Sequence, residues 1–502
     1  MNFRLIASLL FFSLPFWVGN PGNPAGWSFV EGIAGGLTLE LLSRKDEILL
    51  PSFRARCLFL CVLLWSAASF FWTRNFHSTL TGIYKIAFCG MAEVLFLNDR
   101  QEWELAVGKS LRIMAVLGAV SWIVFRSGAL SLLSGWIKYP NLYAGFLSLC
   151  GVFAASAFLR EGSRGEKWAG FTAILTGTAV FLSGSLGAVL AWTGGIAALL
   201  VARGSRPASS PTRNSRIIIY GLGLLVVLSL VPYPRNYFSD FWARRWTDRY
   251  ASERLAVWKD SVRMFLAHPI RGAGLGNFRE IYPQFKSIPG LRNAPYAHNE
   301  LLNVLCEMGL AGTLILGLLG VELFKRGKNI LTDETARPWA AVVFAALVQS
   351  LADFNLRYEP IAILCVFALA RLLPEGDALT LAPLRRRALL TGAALASFLF
   401  LLPGAAFVLY RIDPQNAALA KNIDPLNGFY WSQTGRMRDL EVAISLEPGN
   451  VWFRREAAQF YARDWQKTGN RESLENARKE YDFIQKTAPN VAQFQTEMEA
   501  LK

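Results

Sequence analysis

Long apolar runs recur along most of this chain and constrain its fold more than any other feature. Between Leu5 and about Tyr410, runs long enough to cross roughly 30 Å of hydrocarbon alternate with short polar joints. Hydrophobic residues make up 53% of the 502 residues and charged residues only 18%, which excludes a soluble globular enzyme. Because backbone polar groups in a bilayer need internal partners, the pattern predicts an all-α polytopic membrane bundle.

Hydropathy predicts about 12 to 13 transmembrane helices. The candidate spans are 4–18, 26–42, 55–72, 79–97, 108–125, 141–159, 167–183, 185–202, 216–232, 300–323, 338–353, 358–373 and 388–410. For the pair joined at Gly184, a re-entrant hairpin is an alternative. The first span has the length of a signal peptide, but no small-residue cleavage pattern precedes Asn20, so we predict a helix.

Positive charge concentrates in alternate joints between these spans. The other joints are nearly bare; their main exceptions are Arg74, Arg126, Lys138 and Arg357. Because short loops rich in lysine and arginine stay in the cytoplasm, we expect a cytoplasmic N-terminus. The same rule predicts that the polar loop 231–298 and the tail after Tyr410 lie outside the cytoplasm.

Composition predicts four regions: an N-terminal bundle 1–230, a large loop 231–298, further membrane helices 299–410, and a soluble helical tail 411–502. Long loops in compact proteins are usually functional, so the loop is where we expect chemistry. In the tail, Pro425, Pro448 and Pro489 each precede an aromatic-containing helix start. These turns resemble tetratricopeptide hairpins, although their spacing is irregular; a plain helical cap is the alternative.

The net charge of +15 is explained largely by the cytoplasmic joints, so we expect no nucleic-acid partner. All six cysteines fall inside apolar spans, and their spacing predicts neither a disulfide framework nor a zinc site. There is also no Asp-x-Asp motif to hold a metal. We therefore expect neither a metal nor another cofactor.

A histidine stands at the predicted outer end of a membrane helix. An imidazole can take up or release a proton near neutral pH, so His298 is a candidate general base; a structural role at the interface is equally compatible with the local sequence. Glu307 lies further along the same helix. A lone carboxylate at that depth is costly, so it needs a partner or a water-filled cavity.

The loop before this helix is rich in arginine, aromatic residues and glycine. Arginines interleaved with glycines suit a surface that receives a diphosphate and a sugar ring, and they are Arg254, Arg263, Arg271 and Arg279. The stretch from Phe238 to Tyr250, which contains Arg245, is aromatic and basic and suits the headgroup region of a membrane; an interfacial anchor is the alternative.

Three segments together resemble the O-antigen ligase and polymerase superfamily. They are an Arg-x-x-x-Trp helix at Arg254 and Trp258, a PxxGxGxGNF loop from Pro269 to Phe278, and an HNxxLxxxxExGxxG segment from His298 to Gly312. Two further fragments, around Asn141 and around Asp353, are also similar to the family. The resemblance covers 108–373 and does not reach the tail.

The resemblance implies a metal-independent, inverting glycosyltransferase of the membrane-embedded type C architecture, located in a bacterial inner membrane. Its donor would be an undecaprenyl-diphosphate glycan, and its acceptor a hydroxyl of lipid A–core, of a glycan or of a protein. Arg254 would hold the diphosphate and His298 would activate the acceptor. Further expected substrate contacts are Arg271, Arg263, Arg245, Asn141, Asn299 and Glu307. A periplasmic protein partner for the tail is a further expectation.

The chain departs from the family where Ser-Arg-Gly is often found, because Ser185, Leu186 and Gly187 stand there. Either another arginine such as Arg245 or Arg249 substitutes, or the acceptor and mechanism differ. A transporter or lipid flippase is the main competing class, but no second copy of the histidine segment suggests paired repeats. A membrane scaffold that recruits envelope proteins through its tail is the third.

Overall fold

The computed structural model describes residues 3–18, 24–126, 140–159, 166–204, 249–288, 294–325, 330, 333–373 and 375–490. The α-helices of the membrane region are α1 (Phe3–Val18), α2 (Pro24–Arg44), α3 (Phe53–Ala68), α4 (Phe76–Asn98), α5 (Arg100–Arg126), α6 (Pro140–Leu159), α7 (Glu166–Ser183), α8 (Leu186–Gly204), α9 (Arg249–Ala267), α10 (Phe278–Ile281), α11 (Glu300–Lys325), α12 (Arg337–Ser350), α13 (Glu359–Leu372) and α14 (Pro383–Ile412). The tail contains α15 (Ala417–Ile423), α16 (Gly428–Ser432), α17 (Met437–Leu446), α18 (Val451–Thr468) and α19 (Arg471–Thr487). Short 3-10 turns lie at Ser69–Phe71, Tyr282–Gln284, Asn355–Arg357 and Pro414–Asn416.

The helical membrane class is confirmed. Among the described residues, six helices are long and apolar enough to cross a membrane, and three shorter apolar helices accompany them. The chain is therefore a multi-pass membrane protein. The predicted span 216–232 lies outside the described residues, and the total of about 12 to 13 spans stays a prediction.

The β-structure within the described ranges consists of one small antiparallel sheet. Strand β1 (Glu47–Pro51) pairs with β2 (Glu375–Thr380), with Glu47 opposite Thr380 and Leu49 opposite Ala378. Both strands fall in joints that the charge pattern predicts to be cytoplasmic. Neither has the strict alternation of apolar and polar residues by which a half-buried strand is recognised in a sequence.

The chain divides into two compact units, each assembled from three segments. The first unit contains Met1–Cys57, Phe88–Asp248 and Leu318–Ser397. The second contains Leu58–Ala87, Arg249–Gly317 and Phe398–Lys502. The loop from Arg249 onward, the part of α11 that carries Glu307 and the tail thus share one unit, although the sequence separates the tail from the other two by a long helical block.

In the first unit, joints predicted to be cytoplasmic contact one another. Asp99 accepts ion pairs from Arg44 at 2.7 Å and from Lys45 at 2.9 Å, and it also pairs with Arg4. The side chain of Asn98 exchanges hydrogen bonds with the backbone of Leu49 in β1. These contacts require the joints to share one side of the membrane, as the charge pattern predicts.

In the second unit, asparagine side chains cap three of the tail helices, α16, α18 and α19. Asn427, Asn450 and Asn470 accept hydrogen bonds from the backbone N–H groups of Phe429, Trp452 and Glu472. Each bond satisfies an amide that the first helical turn leaves unpaired. Helices α18 and α19 then pack through a buried apolar cluster. The similarity of this tail to tetratricopeptide repeats stays a prediction.

Candidate functional site

Helix α11 is kinked at Gly309, where the backbone has φ 65° and ψ −169°. The kink leaves the carbonyl groups of the preceding turn without their usual helical partners. The glycine-rich loop supplies replacements: Ala273 N–H donates to Cys306 O at 2.7 Å, and Gly274 N–H donates to Glu307 O at 2.9 Å. The loop therefore completes the hydrogen bonding of the broken helix.

The helix returns the same kind of contact to the loop. Beyond the kink, Leu310 N–H donates to Pro269 O at 2.8 Å, and Ala311 N–H donates to Ile270 O at 3.2 Å. Backbone donors and acceptors are thus exchanged in both directions between loop and helix. Such an exchange fixes the position of the loop along the axis of α11 without depending on any side chain.

Two glycines make this approach possible. Gly272 has φ 71° and Gly309 has φ 65°, in the left-handed region that favours glycine. An added Cβ at Gly272 would lie 2.4 Å from the carbonyl oxygen of Glu307. The PxxGxGxGNF and ExGxxG motifs are therefore two halves of one backbone contact.

The other side of the loop is held by Asn277. Its side-chain amide donates to Thr73 Oγ1 at 2.8 Å and to Thr79 Oγ1 at 3.2 Å, while its oxygen accepts from Arg74 N at 2.9 Å. Thr79 in turn donates to the carbonyl of Leu275. The joint between α3 and α4 and the large loop, both predicted on the outer side, thus lie together on one face of the second unit.

Glu307 has a partner in this arrangement, as its burial requires. Its carboxylate Oε1 accepts a 3.3 Å hydrogen bond from the backbone N–H of Phe278, and the residue is almost completely buried. This contact places Glu307 among the groups that hold the loop. Its predicted role as a substrate contact stays a prediction.

Arg254 lies near the start of α9, on the face that packs against α11. Helical periodicity places it on the same face as Val257 and Ser261. The carbonyl of Ser261 accepts a 3.1 Å hydrogen bond from the Cys306 thiol. A single buried cluster then runs from Ala256 and Val257 to Ala294 and Ala297 and includes Cys306. Arg254 and His298 each stand beside residues of this cluster.

His298 lies two residues before α11, which begins at Glu300. Its backbone has φ 52°, unusual for a residue with a side chain. Asn299 caps the helix by accepting from Leu302 N at 3.0 Å, and Asn303 Oδ1 accepts from Ala297 N at 2.8 Å. The imidazole is therefore carried on a short, fixed turn. Asn299 thereby has a structural task in addition to its predicted substrate contact.

The other predicted arginines differ in their surroundings. Arg263 is half-exposed and lies 3.5 Å from the fully buried carboxylate of Asp260, which also accepts from Ser287 N. The guanidinium of Arg271 is exposed and lies 5.7 Å from the centroid of the Trp72 ring. Arg263 is therefore engaged in an ion pair, whereas Arg271 is held by an aromatic ring.

The remaining predicted positions lie elsewhere. Asn141 belongs to the first unit, where its carbonyl accepts from Gln349 Nε2 at 3.4 Å and where Asn355 also bonds to Gln349. Arg245 lies outside the described residues. At Ser185 a tight turn joins α7 to α8, and Leu186 begins the second helix.

Sequence reasoning missed a set of residues that attach the tail to the start of α4 and to the loop. His77 Nε2 lies 3.0 Å from the carboxylate of Asp424, and Asn490 donates to Lys286 O at 2.7 Å. Burial and the nearby Glu280 raise the pKa of Glu447 to about 7. No local motif marks these residues, because each contact joins segments far apart in sequence.

Within the described ranges, no three His, Cys, Asp or Glu side chains are grouped as metal ligands. Independence of a metal stays a prediction that follows from the resemblance. Besides several paired carboxylates, the second unit contains the cationic side chains Arg74 and Arg271, the imidazole of His268 and the ring of Trp72. That donor set suits an anionic substrate.

A search of curated proteins found no match. A family model described as O-antigen ligase matches residues 171–317. The matched range contains α8, α9, the glycine-rich loop, His298 and the kink of α11. It thus includes the three segments on which the resemblance was based. This region of the chain is similar to the O-antigen ligase family, which supports a glycan-transfer enzyme of the membrane.

Proposed function

We propose that this protein transfers a glycan from a lipid-linked diphosphate carrier to an acceptor hydroxyl at the outer face of a bacterial inner membrane. The family match to 171–317 supports this class of reaction. The carrier would be undecaprenyl diphosphate, and the acceptor an alcohol of lipid A–core, another glycan or a protein.

One observation carries the proposal. Arg254 precedes Val257 of the buried cluster by one helical turn of α9, and His298 directly follows Ala297 of the same cluster. Arg254 supplies a guanidinium, whose planar donors match phosphate oxygens. His298 supplies a group that can accept a proton near neutral pH. A diphosphate site and a general base are the two components that this transfer needs.

The proposed reaction balances with these two groups. His298 accepts the proton of the acceptor hydroxyl while its oxygen bonds to the anomeric carbon of the donor sugar. The bond from that carbon to the diphosphate oxygen breaks, and the electron pair leaves with the lipid diphosphate. Arg254 stabilises the charge that develops on the leaving group. Attack from the opposite face inverts the anomeric configuration.

The kink of α11 gives this chemistry a rigid support. His298 and the docking sites for the loop are parts of one segment, 297–311, and the loop follows α9 directly. Catalytic groups held by backbone contacts keep their geometry better than groups on a loop held by side chains alone.

The proposal is tested with Arg254→Ala and His298→Ala, and with Arg438→Ala in the tail as the control. We expect each of the first two to lower transfer by about 100-fold or more, because each removes a group used in the transition state. Purified protein in liposomes should be given a lipid-linked glycan and an acceptor, and the product measured. Full transfer by either variant would exclude its residue. Movement of the glycan lipid across the bilayer without transfer would favour a flippase.

A further inference from the structure

Three basic side chains of the second unit lie on neighbouring segments. They are Arg74, after the 3-10 turn Ser69–Phe71, and His268 and Arg271, after α9. Arg271 is among the predicted substrate contacts, whereas Arg74 and His268 are not.

Burial lowers the pKa of His268, and the nearby Arg271 and Arg74 guanidiniums lower it further. The segments 72–74 and 268–277 are in contact: Arg74 N–H donates to Asn277 Oδ1 at 2.9 Å, and the Arg271 guanidinium lies 5.7 Å from the centroid of the Trp72 ring. Both guanidiniums therefore lie near His268, where they disfavour its protonated form.

No acidic group compensates this charge in the part of the chain that the structure describes. Neither Arg74 nor Arg271 has a carboxylate within 4.0 Å there. Glu280 and Glu447, on the neighbouring stretch, interact instead with Arg279. Like charges gathered without a counter-ion destabilise a protein, unless an anion joins them.

The two arginines are held in place. Arg271 lies over the Trp72 ring, and Trp72 stacks near Trp65 at a centroid distance of 5.8 Å. The stem of Arg74 lies beside the tail, where a Cβ on Gly449 would be 3.5 Å from Arg74 Cδ. Each guanidinium is thus anchored through its stem or its face, while its N–H donors remain exposed.

The surroundings of this cluster resemble a membrane boundary. Phe71, beside Trp72, is 92% exposed, and Ile270, beside Arg271, is 70% exposed. Exposed apolar side chains next to a cationic cluster suit the depth at which acyl chains end and phosphate groups begin.

We propose that Arg74, His268 and Arg271 form a second binding site, which takes a phosphoryl group. Its assignment to a lipid-linked diphosphate rests on the proposed function, whereas the anion site itself is measured separately. A phospholipid headgroup offers the same chemistry, so the experiment must distinguish the two sources. Arg74 is then a substrate-positioning residue contributed by the joint between α3 and α4.

The chain has three histidines, so selective isotope labelling of histidine gives three imidazole signals. Full-length protein in phosphatidylcholine nanodiscs should be titrated with inorganic pyrophosphate, with the His268 signal assigned from His268→Gln. We expect a saturable shift of that signal and a rise in the pKa of His268, because a bound anion offsets the two guanidiniums. Arg74→Ala and Arg271→Ala should each weaken binding by about tenfold or more. Arg438→Ala should leave it unchanged.

An unmoved His268 signal, or an equal shift in the Arg74→Ala/Arg271→Ala double variant, overturns the site. Nanodiscs containing phosphatidylglycerol separate the sources. If they produce the shift without pyrophosphate, the site is a phosphoryl site filled by the membrane; if pyrophosphate is still required, it is filled by a soluble diphosphate group. If pyrophosphate does not bind, the transfer assays of Arg254→Ala and His298→Ala are unaffected. If those two variants transfer glycan normally, the pyrophosphate result is likewise unaffected.

Discussion

A Cβ added to Gly309 would lie 2.2 Å from the carbonyl oxygen of Ile270. The loop therefore passes the broken helix at a distance that only glycine permits. Gly309 belongs to α11 and Ile270 to the loop, so the contact joins the segment that carries His298 to the segment that follows Arg254. A substitution at Gly309 should therefore move both segments.

Gly309→Ala and Gly272→Ala should each lower the free energy of unfolding by roughly 2 kcal/mol or more. Alanine is strained in the left-handed conformation, and its Cβ would disrupt the backbone contact between loop and helix. Thermal unfolding in detergent measures this. Gly317→Ala is the matched control: it lies in the same helix, and no atom stands within 4 Å of its added Cβ. A Gly309→Ala protein as stable as the Gly317→Ala protein would contradict the predicted contact.

Asp424→Ala should loosen the tail from the second unit. The carboxylate of Asp424 is buried, lies 3.0 Å from His77 Nε2 and accepts from Asn427 Nδ2 at 3.0 Å. Losing a buried partner of this kind costs about 1–3 kcal/mol. Amide hydrogen exchange in 413–490 should accelerate, whereas exposed Asp482→Ala should leave it unchanged. If the His77→Gln/Asp424→Ala double variant shows purely additive effects, the two residues are not coupled.

Attachment of the tail should weaken as the pH rises. Burial and Glu280 raise the pKa of Glu447 from 4.5 to about 7, and burial also raises that of Glu280. A raised carboxyl pKa favours the protonated folded form, so this contribution is full below about pH 4.5 and is lost through about pH 7.

Glu447→Gln removes this dependence, because its amide cannot ionise. In the natural chain, protease cleavage of the tail should therefore increase between pH 5.5 and pH 8.5. In the variant, the cleavage should change much less: the loss of apparent stability over this pH range should be smaller than in the natural chain by about 1 kcal/mol or more. Glu475→Gln, at an exposed tail position, should behave like the natural chain. Equal pH profiles for all three proteins would remove Glu447 from this account.

Deleting 413–502 should impair the loop rather than remove an independent module. The tail covers His77, packs beside Arg74 and bonds to Lys286 O through Asn490. We expect faster hydrogen exchange in 269–288 and lower glycan transfer at normal expression. Transfer and exchange both unchanged would instead favour a tail that only recruits partners.

The membrane class was predictable, because it follows from the placement of apolar residues in long runs along the chain. The glycines of the loop were predicted to approach an anion, yet Gly272 approaches Glu307 O and Gly309 approaches Ile270 O. Spacing identifies a glycine that matters, but it does not identify the atom that the glycine approaches.

The kink at Gly309 and the His77–Asp424 pair were not predictable for a different reason. Each depends on a partner from a distant segment, and a single sequence contains no signal that links such segments. Arg74 did carry a signal, as an arginine in a joint that the charge pattern otherwise leaves bare. A contact between Arg74 and phosphate would explain why this joint carries an arginine.

The pairing of Glu47 with Thr380 has a consequence for biogenesis. Most of the chain must be synthesised before the second strand emerges, so the early helices reach the bilayer long before their joint can close. Contacts this distant in sequence form slowly. In the orientation that the charge pattern predicts, β1 presents unpaired backbone edges to the cytoplasm during that interval, where chaperones or a neighbouring nascent chain compete for them. Slowed translation shortly after codon 380 would therefore favour correct assembly.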